Sequence, residues 1–489
     1  MLKLEYSPKV TNALMKAFPR YTQEKAEKKL SKYINTLERL MRRAKLNKQY
    51  SRKNRNIYEL EAKILWDKTG QLGTPSVSLH KILMDKRVPL VINTNLYRKP
   101  NKELAKFRTT SLLTVKNESL LDLLRSMSPK EVADFLDNPS QDDIAEINDY
   151  LKEFRSLTLV HQNELYDMVD VDIDSLKNYI KKLANRQIFI GYSKQESDAD
   201  NAEYILRIAQ LNNGQLPQLK FKSDFGRNYY KNLSVQNVSK RVREAFLGDC
   251  WEYDCKSCSA SWKMAFAQEC YDSKKRHRKS FDDSVCGLTL YLEYKPDFFD
   301  EVIYCTYLAD YPYSHEHKSK VIKEAMTAIG FGAKLTMGSW KIDGDTKSSS
   351  LLQVFDYNTA LLRRFIDCNI VRQYNDEQSI LNKYIVEKFS SDATWIAELE
   401  ESRLNRKRKP YKLNQKISWL FQHAETEMMN IVRNELKKLG KTVLANVHDA
   451  IVVRERLTHL ELLAIENKVR TKTNVLYFAL GESQYERTT

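Results

Sequence analysis

Cysteine is missing from the first half of this 489-residue chain, and glycine and proline are scarce throughout, at 13 and 11 residues. The seven cysteines are odd in number and run from Cys250 to Cys368. That excludes a secreted scaffold stapled by disulfides and predicts a reducing compartment. No run approaches the roughly 18 apolar residues of a membrane span. The opening MLKLEYSPKVTNALMKAF carries charges where a secretory leader needs a clean apolar block. The expectation is an intracellular protein, cytoplasmic or nucleoid-associated, with no membrane partner. Tandem repeats and long low-complexity segments are also missing.

Negative charge is in the minority: 64 Asp and Glu stand against 80 Lys and Arg, a formal charge of +16. A polyanionic partner follows, because each phosphate neutralised releases counterions. The clusters KKRHRK (274–279) and RKRKPYK (406–412), with 27 tyrosines able to stack on bases, point to nucleic acid. A hydrophobic share of 42% is ample for a large core in two or three subdomains.

With few helix breakers and long stretches at helical spacing, helix should dominate. Leu30, Ile34, Leu37 and Met41 form one apolar stripe in a basic segment. Ser128-Pro129-Lys130-Glu131 reads as a capping box with proline at the first helical position, and Ser140 opens another helix through Phe154. After Gly214 the texture changes. VIYCTYL (302–308), VLANVHDAIVV (443–453) and NVLYFALG (474–481) are rich in strand formers. Helical patterns over 318–329 and 415–439 lie between them.

Two acids are placed for chemistry. Asp449 falls between two apolar β-type segments, where a tight hairpin would lift its carboxylate out of a sheet. In CWEYDCKS, strand alternation puts Cys250, Glu252 and Asp254 on one face. If the two strands share a sheet, Asp254 and Asp449 converge, and Mg²⁺ held by few protein oxygens is the usual answer to their repulsion. Lys323 and Phe331 stand eight residues apart, on a similar side of one helix that Gly332 ends. A lysine there can neutralise a leaving pyrophosphate, and a ring can stack on an incoming base.

SDFGR (223–227), NLSVQNVSKRVREAF (232–246), Asp254, Lys323 with Phe331-Gly332, FQHAETEMM (421–429) and VHD (447–449) follow one another in that order. The series resembles the family A DNA polymerases and their relatives, the single-subunit phage-type RNA polymerases, over roughly 215–489. The resemblance implies an α+β right-hand fold, with an antiparallel-sheet palm and helical fingers and thumb. A basic helical region would span 1–110, a thumb-like region 111–215, palm 216–310 and 401–489, and fingers 311–400. It also implies that Asp254, Asp449 and the Cys255 carbonyl hold two Mg²⁺, with Mn²⁺ as a substitute. Lys323 would serve the triphosphate, aided by Lys318 and Lys320, with Phe331 and Gly332 beside the templating pair. Arg227, Gln236, Asn237, Arg241, Arg243, Gln422 and His448 would contact template and primer. Primed DNA and dNTPs are the implied partners, with RNA and rNTPs as alternatives, and a monomer is expected.

Departures bear on the sugar. Where family A DNA polymerases place a glutamate after the first aspartate, this chain has Ser259, or Ala260 with one insertion, and Ala450 follows Asp449. SCSA (257–260) is closer to the phage-type RNA polymerases. The arginine expected four residues before Lys323 is Ser319. Compact spacing around Asp449 favours the DNA polymerases, so DNA synthesis with weak exclusion of ribonucleotides is expected. The first 215 residues leave no room for a proofreading exonuclease. An RNA polymerase or primase is the alternative within the class.

Other signatures compete for the same residues. Cys250, Cys255 and Cys258 match the C-x₄-C-x₂-C start of an iron–sulfur site, with Cys270 or Cys286 as a fourth ligand, and Cys255 with Cys258 could form half of a zinc site. A nucleic-acid-binding iron–sulfur or zinc protein is therefore the alternative of another class. The acidic run DMVDVDID (167–174) lacks Ca²⁺-loop spacing and reads as a solvated face.

Overall fold

The computed structural model describes residues 120–489 apart from 186, 189–191, 223–227, 232, 274–280, 309–310, 343–344 and 406–410. Before residue 120 it describes Met15, residues 22–25 and 28, and three strands. Arg227, the 274–279 cluster, the arginines and lysines of 406–409 and the Leu30–Met41 stripe lie outside the described residues. The chain divides into two compact units. The first comprises residues 1–221, 229–250 and 484–489; the second comprises 222–228 and 251–483. Residues 229–250, grouped above with the palm, thus pack with the N-terminal helices.

In the first unit, strands β1 (Ile57–Glu61), β2 (Ile92–Pro100) and β3 (Phe107–Val115) form an antiparallel sheet in the order β1-β3-β2, where helix was expected. The capping signals hold. Ser128 and Glu131 exchange side-chain and backbone bonds at the start of helix Pro129–Asp137, and Ser140 with Asp143 do so for Gln141–Arg155. Leu136, Leu151, Leu176, Ile180, Ile205 and Ile208 are fully buried among these and later helices. β4 (Tyr166–Asp170), β5 (Gln215–Lys222) and β6 (Asn228–Tyr230) form a second sheet. The acidic run is structural: Asp167 pairs with Lys220, and Asp172 caps a helix and pairs with Arg487.

The second unit is built on a four-stranded sheet. β7 (Cys250–Cys255) enters it, a hairpin of β8 (Ser339–Ile342) and β9 (Asp345–Ser348) follows, and β10 (Val443–Val447), β11 (Ala450–Val453) and β12 (Leu480–Tyr485) complete the order β10-β11-β7-β12. Alternation holds only at the end of β7, where Tyr253 and Cys255 enter the core while Asp254 is exposed; Cys250 and Glu252, on the Asp254 face, are buried as well, and Trp251 is half-buried. Helices His315–Gly330 and Leu413–Lys438 match the two helical patterns. VIYCTYL does not form a strand. Val302–Thr306 ends helix Lys295–Thr306, started by Pro296, with Phe298, Phe299, Val302 and Ile303 buried and Tyr304 exposed. Packing of one helical face overrides the strand propensity of its residues.

Candidate active site

β10 and β11 are joined by a two-residue turn, His448-Asp449, because Val447 pairs with Ala450. His448 takes a φ of +56°, a left-handed conformation uncommon for a residue with a Cβ. β11 pairs with β7 so that Ala450 faces Asp254, and one step on the Cys255 N–H donates to the Asp449 carbonyl at 3.0 Å. Asp254 and Asp449 thus stand on neighbouring strand ends. The Cys255 carbonyl leaves its strand on the same edge as that N–H. β12 closes the other side with Gly481, where a Cβ would stand 2.5 Å from Asp254 Oδ1 and 3.2 Å from Lys256 Cε.

Asp254 reaches solvent at the strand end, but burial around its base raises its carboxyl pKa. Asp449 and Glu252 push it further in the same direction, and Lys323 opposes them. A cation between such carboxylates relieves the repulsion. Among the described residues no three His, Cys, Asp or Glu side chains gather as a closed metal cage. The donor set is two carboxylates and a backbone carbonyl, all hard oxygens and few in number. That fits Mg²⁺, which keeps several waters and accepts substrate phosphate oxygens, and Mn²⁺ shares the preference.

The sulfurs do not compete for this role. Cys250 and Cys255 stand at opposite ends of β7, roughly 17 Å apart at the rise of an extended strand. Cys255 and Cys258 do share a side-chain hydrogen bond; burial raises the Cys255 thiol, and the bond to Cys255, then burial, raises Cys258. Both are core residues.

The Lys323 helix is placed by its two ends. Ser314 caps its start by accepting from the His317 N–H. At its end the N–H groups of Phe331, Gly332 and Ala333 donate to the carbonyls of Thr327, Ile329 and Ala328, with Gly332 at φ +86°. This Schellman arrangement needs a left-handed residue, which glycine supplies without strain. Lys323 is exposed, and its charge acts on Asp254. Phe331 is half-buried, its ring 5.7 Å from that of Phe421, the residue before Gln422. Gln422 Nε2 donates to Ser418 Oγ at 3.1 Å.

Lys320 lies one turn before Lys323 on the same face and is exposed. Lys318 faces elsewhere, its Nζ 5.5 Å above the Tyr307 ring, so the expected pair reduces to Lys320. Ala260 is buried and Ser259 half-buried, which makes Ser259 the side chain presented after Asp254. Sequence reasoning missed Lys295. Its Nζ donates to Ser257 Oγ at 2.7 Å and lies over Tyr291 and Phe299. Burial and then Lys323 lower its pKa, while Asp254 raises it. Nothing in its Lys-Pro setting distinguishes it from an ordinary helix start.

Gln236, Asn237, Arg241 and Arg243 belong to the first unit. Gln236 accepts from the Tyr230 N–H, Asn237 donates to Tyr230 O and Ser234 Oγ, and Arg243 donates to Val235 O and Tyr485 Oη. These three side chains are tied into their own fold, which an irregular loop with backbone groups to satisfy requires. Arg241 is exposed. No protein-family model matches the chain, and no curated protein matches it either.

Proposed function

We propose that this chain is a template-directed nucleic-acid polymerase, a DNA-directed DNA polymerase of family A type, with the four-stranded sheet as palm and the His315–Gly330 helix in the fingers. One observation carries the reading: Asp254 near the end of β7 and Asp449 in the turn before β11 are brought together by the Asp254–Ala450 pair and the bond from the Cys255 N–H to the Asp449 carbonyl, with Asp449 and Lys323 both acting on the Asp254 carboxyl. The order of these residues along the chain and the excess of positive charge support it.

Asp254, Asp449 and the Cys255 carbonyl would hold Mg²⁺, which when bound acidifies the primer 3′ hydroxyl and neutralises charge on the reacting phosphates. Lys323 faces the triphosphate and offsets charge building on the pyrophosphate. Lys295 supplies the second cation that Ser319 lacks, from a different helix. Phe331 offers its ring to the nascent base pair. Beside it a groove of about 870 Å³, lined by Gly332, Lys334, Thr336, Lys412 and Asn414, offers a basic path to a template strand. Ser259, small where a glutamate would crowd the ribose, leaves the 2′ hydroxyl weakly excluded. That same residue favours the second reading, an RNA polymerase or primase.

The test is extension of a primed DNA template with dNTPs and rNTPs supplied separately, with and without Mg²⁺. Extension with dNTPs that requires Mg²⁺ and is lost in Asp449→Asn, with duplex affinity retained, is the expected result. Use of rNTPs alone would transfer the assignment to RNA synthesis, and near-normal turnover in Asp449→Asn would remove that residue from the site.

A further inference from the structure

The helix that carries Lys323 leaves one carbonyl for another element to satisfy. Its cap occupies the carbonyls of Thr327, Ala328 and Ile329 but supplies no donor to Gly330. The Gly330 oxygen instead accepts from Lys263 Nζ, and from Asn382 Nδ2 at 3.4 Å. Lys263 lies on helix Cys258–Met264, just after Asp254, and is 0% exposed. Its ammonium also donates to Gln378 Oε1 at 2.9 Å and sits 5.8 Å from the centre of the Phe331 ring. Among the described residues, Gln378 Nε2 and Asn382 Oδ1 remain buried there without a hydrogen-bond partner.

A buried cation with neutral partners is a poor way to stabilise a fold, since an apolar side chain of similar volume is often as good or better. Burial depresses the Lys263 pKa to about 7, which expresses the same cost. Its position suggests what the cost is for. The helix C-terminus is the negative end of its dipole and favours a cation. The lysine also joins the element leaving the carboxylates to the element ending in Phe331.

We propose that Lys263 is a positioning residue that straps the end of the nucleotide-binding helix to the helix following Asp254, fixing Phe331 relative to the carboxylates. The proposal rests on the polymerase reading of Lys323 and Phe331.

Lys263→Met tests it, with Gln378→Leu as a milder variant that leaves the lysine in place. Hydrogen exchange at the amides of Phe331, Gly332 and Ala333 reads the strap directly and requires no catalysis. Steady-state extension of matched and mismatched primer ends reads its use. In Lys263→Met, exchange should quicken and KM for the correct dNTP rise, each about tenfold, the equivalent of about 1.4 kcal/mol. Discrimination against mismatches should fall, while Tm does not drop and duplex affinity holds; Gln378→Leu should move KM, exchange and discrimination less. A lysine with only a packing role would leave the KM-to-kcat split and mismatch ratio unchanged whatever the Tm, which overturns the proposal. Unchanged exchange in both variants sinks the strap whatever the activity. Wild-type protein that extends no primer sinks the polymerase reading, and the functional part of the proposal with it.

Discussion

Asp254 is held against its own preference. Its carboxyl pKa is raised by burial and by Asp449 and Glu252, so ionisation at neutral pH costs folding free energy until a cation arrives. Asp254→Asn should therefore abolish extension and yet leave Tm no lower than the wild type's in EDTA at pH 7. Calorimetry checks this; a lower Tm would mean that the acids are not in conflict. Gly481 gives a second test. With a Cβ due 2.5 Å from Asp254 Oδ1, Gly481→Ala must move the acid or the strand. Mg²⁺-dependent extension should fall at least about tenfold, roughly 1.4 kcal/mol, while nucleic-acid affinity stays. Asp254 and Asp449 were legible because strand alternation and a tight turn are local patterns. Gly481, Lys295 and Lys263 were not, because their meaning comes from neighbours scores of residues away.

Among the elements, those with explicit punctuation were readable. The capping boxes at Ser128 and Ser140 form as the sequence says, and Ser128→Ala should cost about 1 kcal/mol in chemical denaturation. The His448-Asp449 hairpin followed from two apolar runs separated by polar residues. VIYCTYL misled because its composition suits a strand while its buried positions repeat at helical spacing. Helix ends also carry a pH dependence. Lys263 titrates near pH 7 in the fold against an ordinary value of 10.5. Between those values the unfolded chain binds a proton that the folded chain lacks, so stability rises with pH, by up to about 1.4 kcal/mol per pH unit. Urea midpoints measured from pH 7 to 9 should climb in the wild type and lose this component in Lys263→Met.

For the whole molecule, the formal charge of +16 predicts binding to primed DNA that weakens steeply with salt. A plot of log affinity against log salt should be linear with negative slope, and Arg241→Ala should make it shallower only if the first unit grips the backbone. The order of the central sheet has a different implication. Its outer strand, β12, comes last in the sequence, yet lies directly beside the strand bearing Asp254. At about 5 to 20 residues per second, a ribosome takes on the order of ten seconds or more to travel from one to the other. Throughout that interval the nascent sheet has an open edge beside β7, so shielding by a chaperone matters most then, and chains cut short before Leu480 should aggregate more readily than the full one.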